Sequence, residues 1–201
     1  MNRLVSRIGA GIVSVTVFLF AVFLIVDFTF GSYFVCMLLP IGYIMTAAGL
    51  HNESPADRKA AANIGLVLAG VYAVLILLVY FAQTTSVRND SLNEQARSLL
   101  DFRYMSLIFN YDLLGYGMMA LSTLFIGLSV KPEDTADKWM KRLLIIHGAF
   151  FPGCFLMPIF GVFTKGHSSG QTSKGGVIAL VIWCIYFLPI GLLAFRHFRK
   201  K

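Results

Sequence analysis

Residues 17–26 read VFLFAVFLIV, a run of ten apolar residues without a single charged or polar side chain. A strand of a membrane barrel alternates apolar and polar residues over about ten positions, and this run does not alternate. Backbone groups inside a bilayer find no water, so a segment that crosses it must be a helix or belong to a closed barrel. The run is therefore predicted to lie in a transmembrane helix.

Further uncharged runs of similar length follow along the chain. About 20 apolar residues are needed to cross the hydrocarbon core of a bilayer, and six segments come close to this length or exceed it. We predict transmembrane helices at about residues 8–27, 32–51, 61–83, 106–130, 143–164 and 175–195. The sequence thus predicts an all-α integral membrane protein, in which residues 1–201 form one domain and six transmembrane helices form one bundle.

The composition agrees with this fold class. Hydrophobic residues make up 57% of the 201 residues and charged residues only 13%. A soluble domain has about 45–50% apolar and about 25% charged residues. The composition therefore excludes an ordinary soluble domain, and the lipid bilayer is the first partner that the sequence predicts.

Lysine and arginine are distributed unevenly between the two sets of loops. Cytoplasmic loops of membrane proteins carry an excess of these residues. Here 12 of the 17 cations lie in the N-terminal arm, the second and fourth loops and the C-terminal tail. We therefore expect a multi-pass protein of the plasma membrane with both termini in the cytoplasm. The cations occupy four short, separate segments rather than one folded face, which argues against nucleic acid as a partner.

A short helix is predicted in the longest loop, between the third and fourth spans. Ser91 and Glu94 match the S-x-x-E capping box that often begins a helix. The apolar residues around them recur on one helical face and are Leu92, Ala96, Leu99 and Leu100. We predict an amphipathic helix on the outer membrane surface; the alternative is a loop that merely contains leucines.

Small residues recur every four positions along the third span, at Ala61, Gly65, Ala69 and Ala73. This spacing lets the backbones of two membrane helices approach closely. The face is predicted to pack against another helix, and we favour a helix of the same chain over one from a second copy.

The fifth span contains two prolines, and the helix is predicted to break there. Pro152 and Pro158 each remove a backbone donor, and Gly153 lies next to the first of them. Broken helices form substrate sites in many transporters. The alternative is that these residues have no function, because proline and glycine are common in membrane helices generally.

Polar side chains near the start of the fourth span are candidates for a ligand site. Asp112 is the only acidic residue between two apolar stretches, and Asn110 and Tyr116 lie close to it in the sequence. If the span begins near Met105, Asp112 lies about 10 Å deep at 1.5 Å per residue. If the span begins at Leu113, the carboxyl is interfacial, and this second interpretation is favoured.

His147 is the polar residue inside the fifth span. The favoured interpretation is a neutral histidine that hydrogen bonds to a carbonyl group freed by Pro152. The alternative is a histidine that titrates in a proton relay.

No catalytic motif, cofactor motif or metal-ligand spacing is found in the sequence. The three cysteines, Cys36, Cys154 and Cys184, all lie inside predicted spans and have no C-x-x-C spacing. We therefore expect a protein that is not an enzyme and holds no cofactor or metal.

Two functions from different classes remain. The first is a small permease or a membrane-embedded substrate-binding subunit, in which spans four to six surround a small-molecule site formed by Asn110, Asp112, Tyr116 and His147. The second is a non-catalytic membrane scaffold or regulator, which presents its basic tail and cytoplasmic loops to a membrane or cytoplasmic partner subunit.

Overall fold

The computed structural model describes residues 1–89, 92–164 and 174–200. The chain is 86% helical, without a strand in these ranges. Six of its helical segments are long and apolar enough to cross a membrane. The all-α prediction is confirmed, and so is the number of long apolar helices.

The helices are α1 (Asn2–Ile25), α2 (Thr29–Asn52), α3 (Lys59–Ala82), α4 (Glu94–Leu100), α5 (Leu107–Ser129), α6 (Thr135–His147), α7 (Phe150–Ile159) and α8 (Lys174–Arg199). A 3₁₀ turn at Ala56–Arg58 precedes α3, and a π-helical turn at Gln83–Val87 extends it. The fifth long segment consists of α6 and α7 together.

The long helices pack into a closed ring. Helix α1 packs between α2 and α8, α2 packs against α3, and α3 packs against α5. Helix α5 contacts both α6 and α7, and α6 closes the ring against α8. Arg3 and His197 both bind Glu53, so the first and last helices meet at one end of the ring. We call this end the terminal end and the opposite end the distal end.

Glycine allows a close contact between α3 and α5. A Cβ atom on Gly65 would lie 2.7 Å from the side chain of Ile126 and 3.0 Å from its backbone nitrogen. Ala69 and Ala73 are buried along the same stripe, whereas Ala61 is half-buried. The partner of this small-residue face is therefore a helix of the same chain.

The fifth span begins earlier and breaks earlier than the sequence analysis predicted. Helix α6 begins at Thr135 rather than 143, and the break is the turn at Gly148 and Ala149, between α6 and α7. Pro152 lies in the first turn of α7, where proline is tolerated. The carbonyl group one turn before it, on Gly148, accepts the Phe151 N–H at 3.1 Å. The break expected at Pro152 and Gly153 is therefore wrong in its position, because both residues lie inside α7 and the chain turns before them.

The second break follows Pro158 directly. Helix α7 ends at Ile159, and a turn with Gly161 at φ 62° leads into a 3₁₀ turn at Val162–Thr164. A positive φ favours glycine, because other residues place Cβ against the backbone there. None of the α7 residues is buried, and the helix packs mainly against α5.

A short helix, α4, lies between the third and fourth spans as predicted, but a different residue caps it. Ser91 lies outside the described residues. Asn93 is the N-cap, and its side-chain oxygen accepts the Ala96 N–H at 2.8 Å. Gln83 donates to the carbonyl of Leu100 at 2.6 Å, which attaches α4 to the end of α3. This contact positions Phe102, which follows the helix.

Candidate functional site

Asp112 lies in the second turn of α5, inside the helix rather than before it. The helix begins at Leu107, where the Ser106 hydroxyl caps it by accepting the Phe109 N–H at 3.1 Å. Asp112 is five residues further on, about 7.5 Å along the axis. Its side chain is buried, with 8% exposure. A start of the helix at Leu113 is therefore wrong, and Asp112 is buried within the helix. The interfacial position of its carboxyl group relative to a membrane stays a prediction.

The carboxyl group of Asp112 lacks the partners that usually accompany a buried acid. Its Oδ1 atom has no hydrogen-bond partner among the described residues. The Tyr80 hydroxyl interacts with the carboxyl group, but no Lys or Arg in the described ranges forms an ion pair with it. Burying a polar group without compensation is costly, and ionisable residues inside membrane helices usually mark functional sites.

A cavity of about 460 Å³ lies beside this carboxyl group at the distal end of the ring. Helices α1, α2, α3, α5 and α8 all contribute to its wall. Asp27, in the turn between α1 and α2, is exposed and also lines the cavity, which therefore reaches the distal surface. A second cavity of about 200 Å³ shares Asp112, Phe102 and Leu180 with the first.

Aromatic rings form one wall of the larger cavity. The ring centroids of Tyr33 and Tyr80 lie 5.4 Å apart, and that of Phe102 lies 6.0 Å from Tyr33 and 6.2 Å from Tyr80. Tyr116 lies one turn after Asp112 on α5, and its hydroxyl contacts the Cys36 thiol at 3.8 Å. The cavity therefore combines one buried carboxyl group with several electron-rich ring faces.

Towards the terminal end the interior of the ring is closed. Buried Tyr72 packs between Tyr116 and Tyr43, with centroid distances of 5.8 and 5.6 Å. The Tyr43 hydroxyl donates to Ser122 at 2.8 Å, and Ser122 donates to the carbonyl of Gly65 at 2.6 Å. Beyond them the remaining void is only about 10 Å³, barely the volume that one water molecule needs.

His147 lies outside the cavity, in a buried hydrogen-bonded position of its own. The Trp183 Nε1–H donates to its Nε2 atom at 3.0 Å, and its Nδ1 atom lies 2.8 Å from the Thr123 hydroxyl. Indole nitrogen is only a donor, so Nε2 accepts and Nδ1 carries the proton towards Thr123. The Thr123 hydroxyl in turn donates to the carbonyl of Ala120 at 2.8 Å. The expected bond to a carbonyl freed by Pro152 is therefore wrong, although the neutral form fits this arrangement.

The structure brings together only part of the predicted site. Asp112 and Tyr116 both line the larger cavity, whereas Asn110 and His147 do not. The Asn110 Oδ1 atom is buried without a partner in the described part of the chain. The two cavities beside Asp112 are not lined by Pro152, Gly153 or Pro158. Spans one, two, three, four and six form the larger cavity, rather than spans four to six.

Sequence reasoning missed three of the residues that matter most at the cavity, Tyr33, Tyr80 and Phe102. They come from α2, α3 and the segment after α4, and only the folded ring brings them together. Tyrosine is common near the ends of membrane helices, so its position alone gives no signal. The hydrogen bond by which Gln83 attaches α4 to the end of α3 could not be predicted from the sequence either, because its two residues lie 17 positions apart.

A cluster of ion pairs at the terminal end fixes the C-terminal tail. The two ring nitrogens of His197 lie 2.9 Å from carboxylate oxygens of Asp137 and Glu53. Lys200 binds Asp134 at 2.7 Å and Asp137 at 2.9 Å. The hydrogen bond from Lys200 is the main reason why the pKa of Asp134 falls to about 2. We call these five residues the terminal-end cluster.

No protein-family model matches the chain, and no curated protein or solved structure matches it either. A function for the protein therefore has to be inferred from the cavity and the side chains that surround Asp112.

Proposed function

We propose that the protein is a small permease or a membrane-embedded substrate-binding subunit, and that its ligand site is the cavity beside Asp112. One observation carries this proposal: a buried carboxyl group with an unpartnered oxygen lines a cavity of about 460 Å³. Ligand pockets typically measure about 300–1,000 Å³, with few polar groups in mainly apolar walls. The cavity has this size, and its wall is more evenly divided, with the polar side chains of Asp27, Thr29, Ser32 and Asp112 beside aromatic and aliphatic ones.

The distribution of cations supports an orientation for the site. Twelve of the 17 Lys and Arg residues lie in the segments at the terminal end of the ring. We therefore propose that the protein lies in the plasma membrane with this end facing the cytoplasm. The distal cavity then opens to the outside. A solute would enter from outside and reach Asp112, while the packed terminal half separates it from the cytoplasm.

The basic tail is less suited to the alternative role of a scaffold. Arg196 lies 3.7 Å from Asp134, and Lys200 binds both Asp134 and Asp137. His197 is buried between two carboxylates. Arg196 and Lys200 pair with acids of the same chain, so these two residues are not arranged to receive an acidic partner.

The proposal is tested by ligand-induced thermal stabilisation of the purified protein in detergent. A panel of cationic, neutral and anionic solutes is applied to the wild-type protein, to Asp112→Asn and to Asp27→Asn. A bound ligand raises the unfolding midpoint by mass action. We expect at least one solute class to stabilise the wild-type protein and Asp27→Asn but not Asp112→Asn.

Asp27→Asn is a matched control, because it removes a carboxylate from the same cavity at an exposed position. Asn also tolerates the positive φ of 55° at this position. Stabilisation that is equal in wild-type protein and Asp112→Asn would place the ligand elsewhere and contradict the proposed site.

A further inference from the structure

We propose that the ligand of this cavity is an organic cation with an apolar body, such as a protonated amine or a quaternary ammonium or phosphonium ion, and that it binds in exchange for a proton on Asp112. This inference rests on the proposed function and adds the ligand class and its coupling to protons. It combines three observations: the charge around the cavity, the chemistry of its wall and the missing counter-charge of the carboxyl group.

The charge that lines the cavity is negative. Asp112 lies inside it and Asp27 at its mouth, and no Lys or Arg is among the described residues that line it. Arg103 lines the adjoining cavity but binds Asp101 through two nitrogen atoms, at 2.6 and 3.1 Å. A cleft lined by one sign of charge attracts ligands of the opposite sign. A cation is therefore favoured over an anion.

The wall suits an organic cation better than a metal ion. Cations are attracted to the faces of tyrosine and phenylalanine rings within about 6 Å, and Tyr33, Tyr80 and Phe102 form one wall. The remaining apolar lining includes Phe20, Phe23, Leu24, Val177 and Leu180. Calcium takes about six to eight oxygen ligands and magnesium keeps a tight octahedral shell. Asp112 is the one carboxyl group of the described chain inside the cavity, because Asp27 lies at its mouth and the other lining side-chain oxygens belong to hydroxyl groups. The described residues contain no group of three or more His, Cys, Asp or Glu side chains that could hold a metal ion.

The carboxyl group must exchange its proton when such a cation binds. A buried carboxylate without a counter-charge is strongly disfavoured, so in the empty cavity the acid is neutral and holds its proton. When the cation arrives, the O–H bond of Asp112 breaks, the carboxylate remains with the cation, and the proton leaves to water. One proton is released for each cation bound, and the net charge in the cavity stays unchanged.

No other group near the carboxyl provides a competing charge inside the ring. The titratable side chains that act on Asp112 or respond to it from the surrounding helices are Tyr33, Cys36, Tyr72, Tyr80, Tyr116 and Cys154. Tyrosine and cysteine are neutral in water at pH 7. The charged groups beside the cavity towards the distal surface include Asp27, Asp101, Arg103 and Arg88. Asp101 and Arg103 neutralise each other, and Arg88 lies over the ring of Phe30, 4.5 Å from its centroid, beside an adjoining cavity that does not include Asp112.

Equilibrium binding of radiolabelled tetraphenylphosphonium to the full-length purified protein tests this inference. This ion is a cation at every pH, so any pH dependence of binding comes from the protein. We expect affinity to weaken as the pH falls, approaching tenfold per pH unit once Asp112 is protonated. In weakly buffered solution, about one proton should appear per cation bound.

Three variants separate the role of the carboxyl group from effects on folding. Asp112→Asn should lose binding and proton release, and Asp112→Glu should keep proton release. Asp27→Asn, which removes only the charge at the mouth of the cavity, should bind more weakly but still release about one proton per cation bound. Elution volume in size-exclusion chromatography and helical circular dichroism confirm that each variant is folded. Binding that is independent of pH, or that persists in Asp112→Asn, would overturn the exchange.

The outcomes also distinguish the inference from the proposed function. In one outcome, a neutral or anionic solute binds only when Asp112 is present, while tetraphenylphosphonium and the cationic solutes of the panel do not bind. The proposed ligand site is then supported, and the proposal of an organic cation as the ligand is wrong. If no solute of any class binds in a manner that depends on Asp112, both proposals are overturned.

Discussion

At the scale of single residues, Asp112 was readable from the sequence because it interrupts an otherwise uncharged stretch. An acid within such a stretch is expected either to bind a partner group or ligand or to hold its proton and stay neutral. What the sequence did not provide is its surroundings, because Tyr33 and Tyr80 lie on other helices and become neighbours only when the ring closes. His147 was equally visible, but its partners Thr123 and Trp183 lie 24 and 36 residues away.

We predict that Trp183→Phe destabilises the protein by about 1–3 kcal/mol, the cost of leaving a buried acceptor unsatisfied. The substitution keeps an aromatic ring against Phe187, whose centroid lies 5.0 Å away. It removes the N–H that donates to the Nε2 atom of His147 at 3.0 Å. Thermal unfolding in detergent measures the effect.

Trp139→Phe is the matched control for this prediction. Trp139 is 53% exposed on α6, so its replacement should change the unfolding midpoint little. Equal midpoints for Trp183→Phe and the wild-type protein would contradict the hydrogen bond that we assign to His147.

At the scale of elements, the existence of the long helices followed from the apolar runs, but their ends did not. The fifth span was predicted from 143 because Lys138, Lys141 and Arg142 precede that residue. Helix α6 nevertheless begins at Thr135, because one stripe of it is buried in the ring while its charged face points outwards. The buried stripe is Asp137, Met140, Leu144 and His147, at the spacing of a helical face.

The contact between α3 and α5 should be sensitive to one added methyl group. Gly65→Ala places a Cβ atom 2.7 Å from the Ile126 side chain and 3.0 Å from its backbone nitrogen, so the helices must separate. Overpacking of this kind costs about 1–3 kcal/mol. We expect a lower unfolding midpoint, measured in the same detergent as the wild-type protein.

Gly70→Ala, on the same helix, separates this packing effect from helix propensity. No atom lies within 4 Å of a Cβ at Gly70, and alanine is favoured over glycine inside a helix by about 0.5–1 kcal/mol. This variant should be as stable as the wild-type protein or slightly more stable. If Gly65→Ala also leaves the unfolding midpoint unchanged or raises it, the close approach of α3 and α5 is contradicted.

The terminal-end cluster should make stability depend on pH at acidic values. The pKa of Asp134 is about 2 because Lys200 donates a hydrogen bond to it, whereas an aspartate in an unfolded chain has a pKa of about 3.9. A lowered pKa in the folded state contributes stability that is present above about pH 4 and is lost as the pH falls towards 2.

Lys200→Met should therefore lower the unfolding midpoint most above pH 4, and the difference from the wild-type protein should shrink as the pH approaches 2. Lys138→Met is the control, because this exposed lysine forms no ion pair with the described residues. A difference that stays constant between pH 6 and pH 2.5 would contradict the role of Lys200.

At the scale of the whole molecule, the two ends of the ring differ in packing and in charge. The terminal end carries most of the cations, and the interior of the ring there has a void of only about 10 Å³, whereas the distal interior contains the cavity of about 460 Å³. The groove of about 570 Å³ at the terminal end is open and lies between α6 and α8. The charge asymmetry was readable from the sequence, because it depends only on where the loops lie. The packing asymmetry was not, because it depends on side chains from five different helices.

The accessibility of position 112 from outside the cell tests the central claim most directly. Asp112→Cys is introduced into a chain in which Cys36, Cys154 and Cys184 are replaced by alanine, and intact cells are treated with a membrane-impermeant thiol reagent. Thr46→Cys, beside the small void near the terminal end, and Asp27→Cys, at the mouth of the cavity, are the controls.

We expect the cysteines at 27 and 112 to be labelled in intact cells and the cysteine at 46 to remain unmodified. Labelling at 27 without labelling at 112 would mean that no open cavity leads to the carboxyl position. Labelling of position 112 only after the cytoplasmic side is exposed would contradict the account directly, because the cavity would then face the wrong side of the membrane.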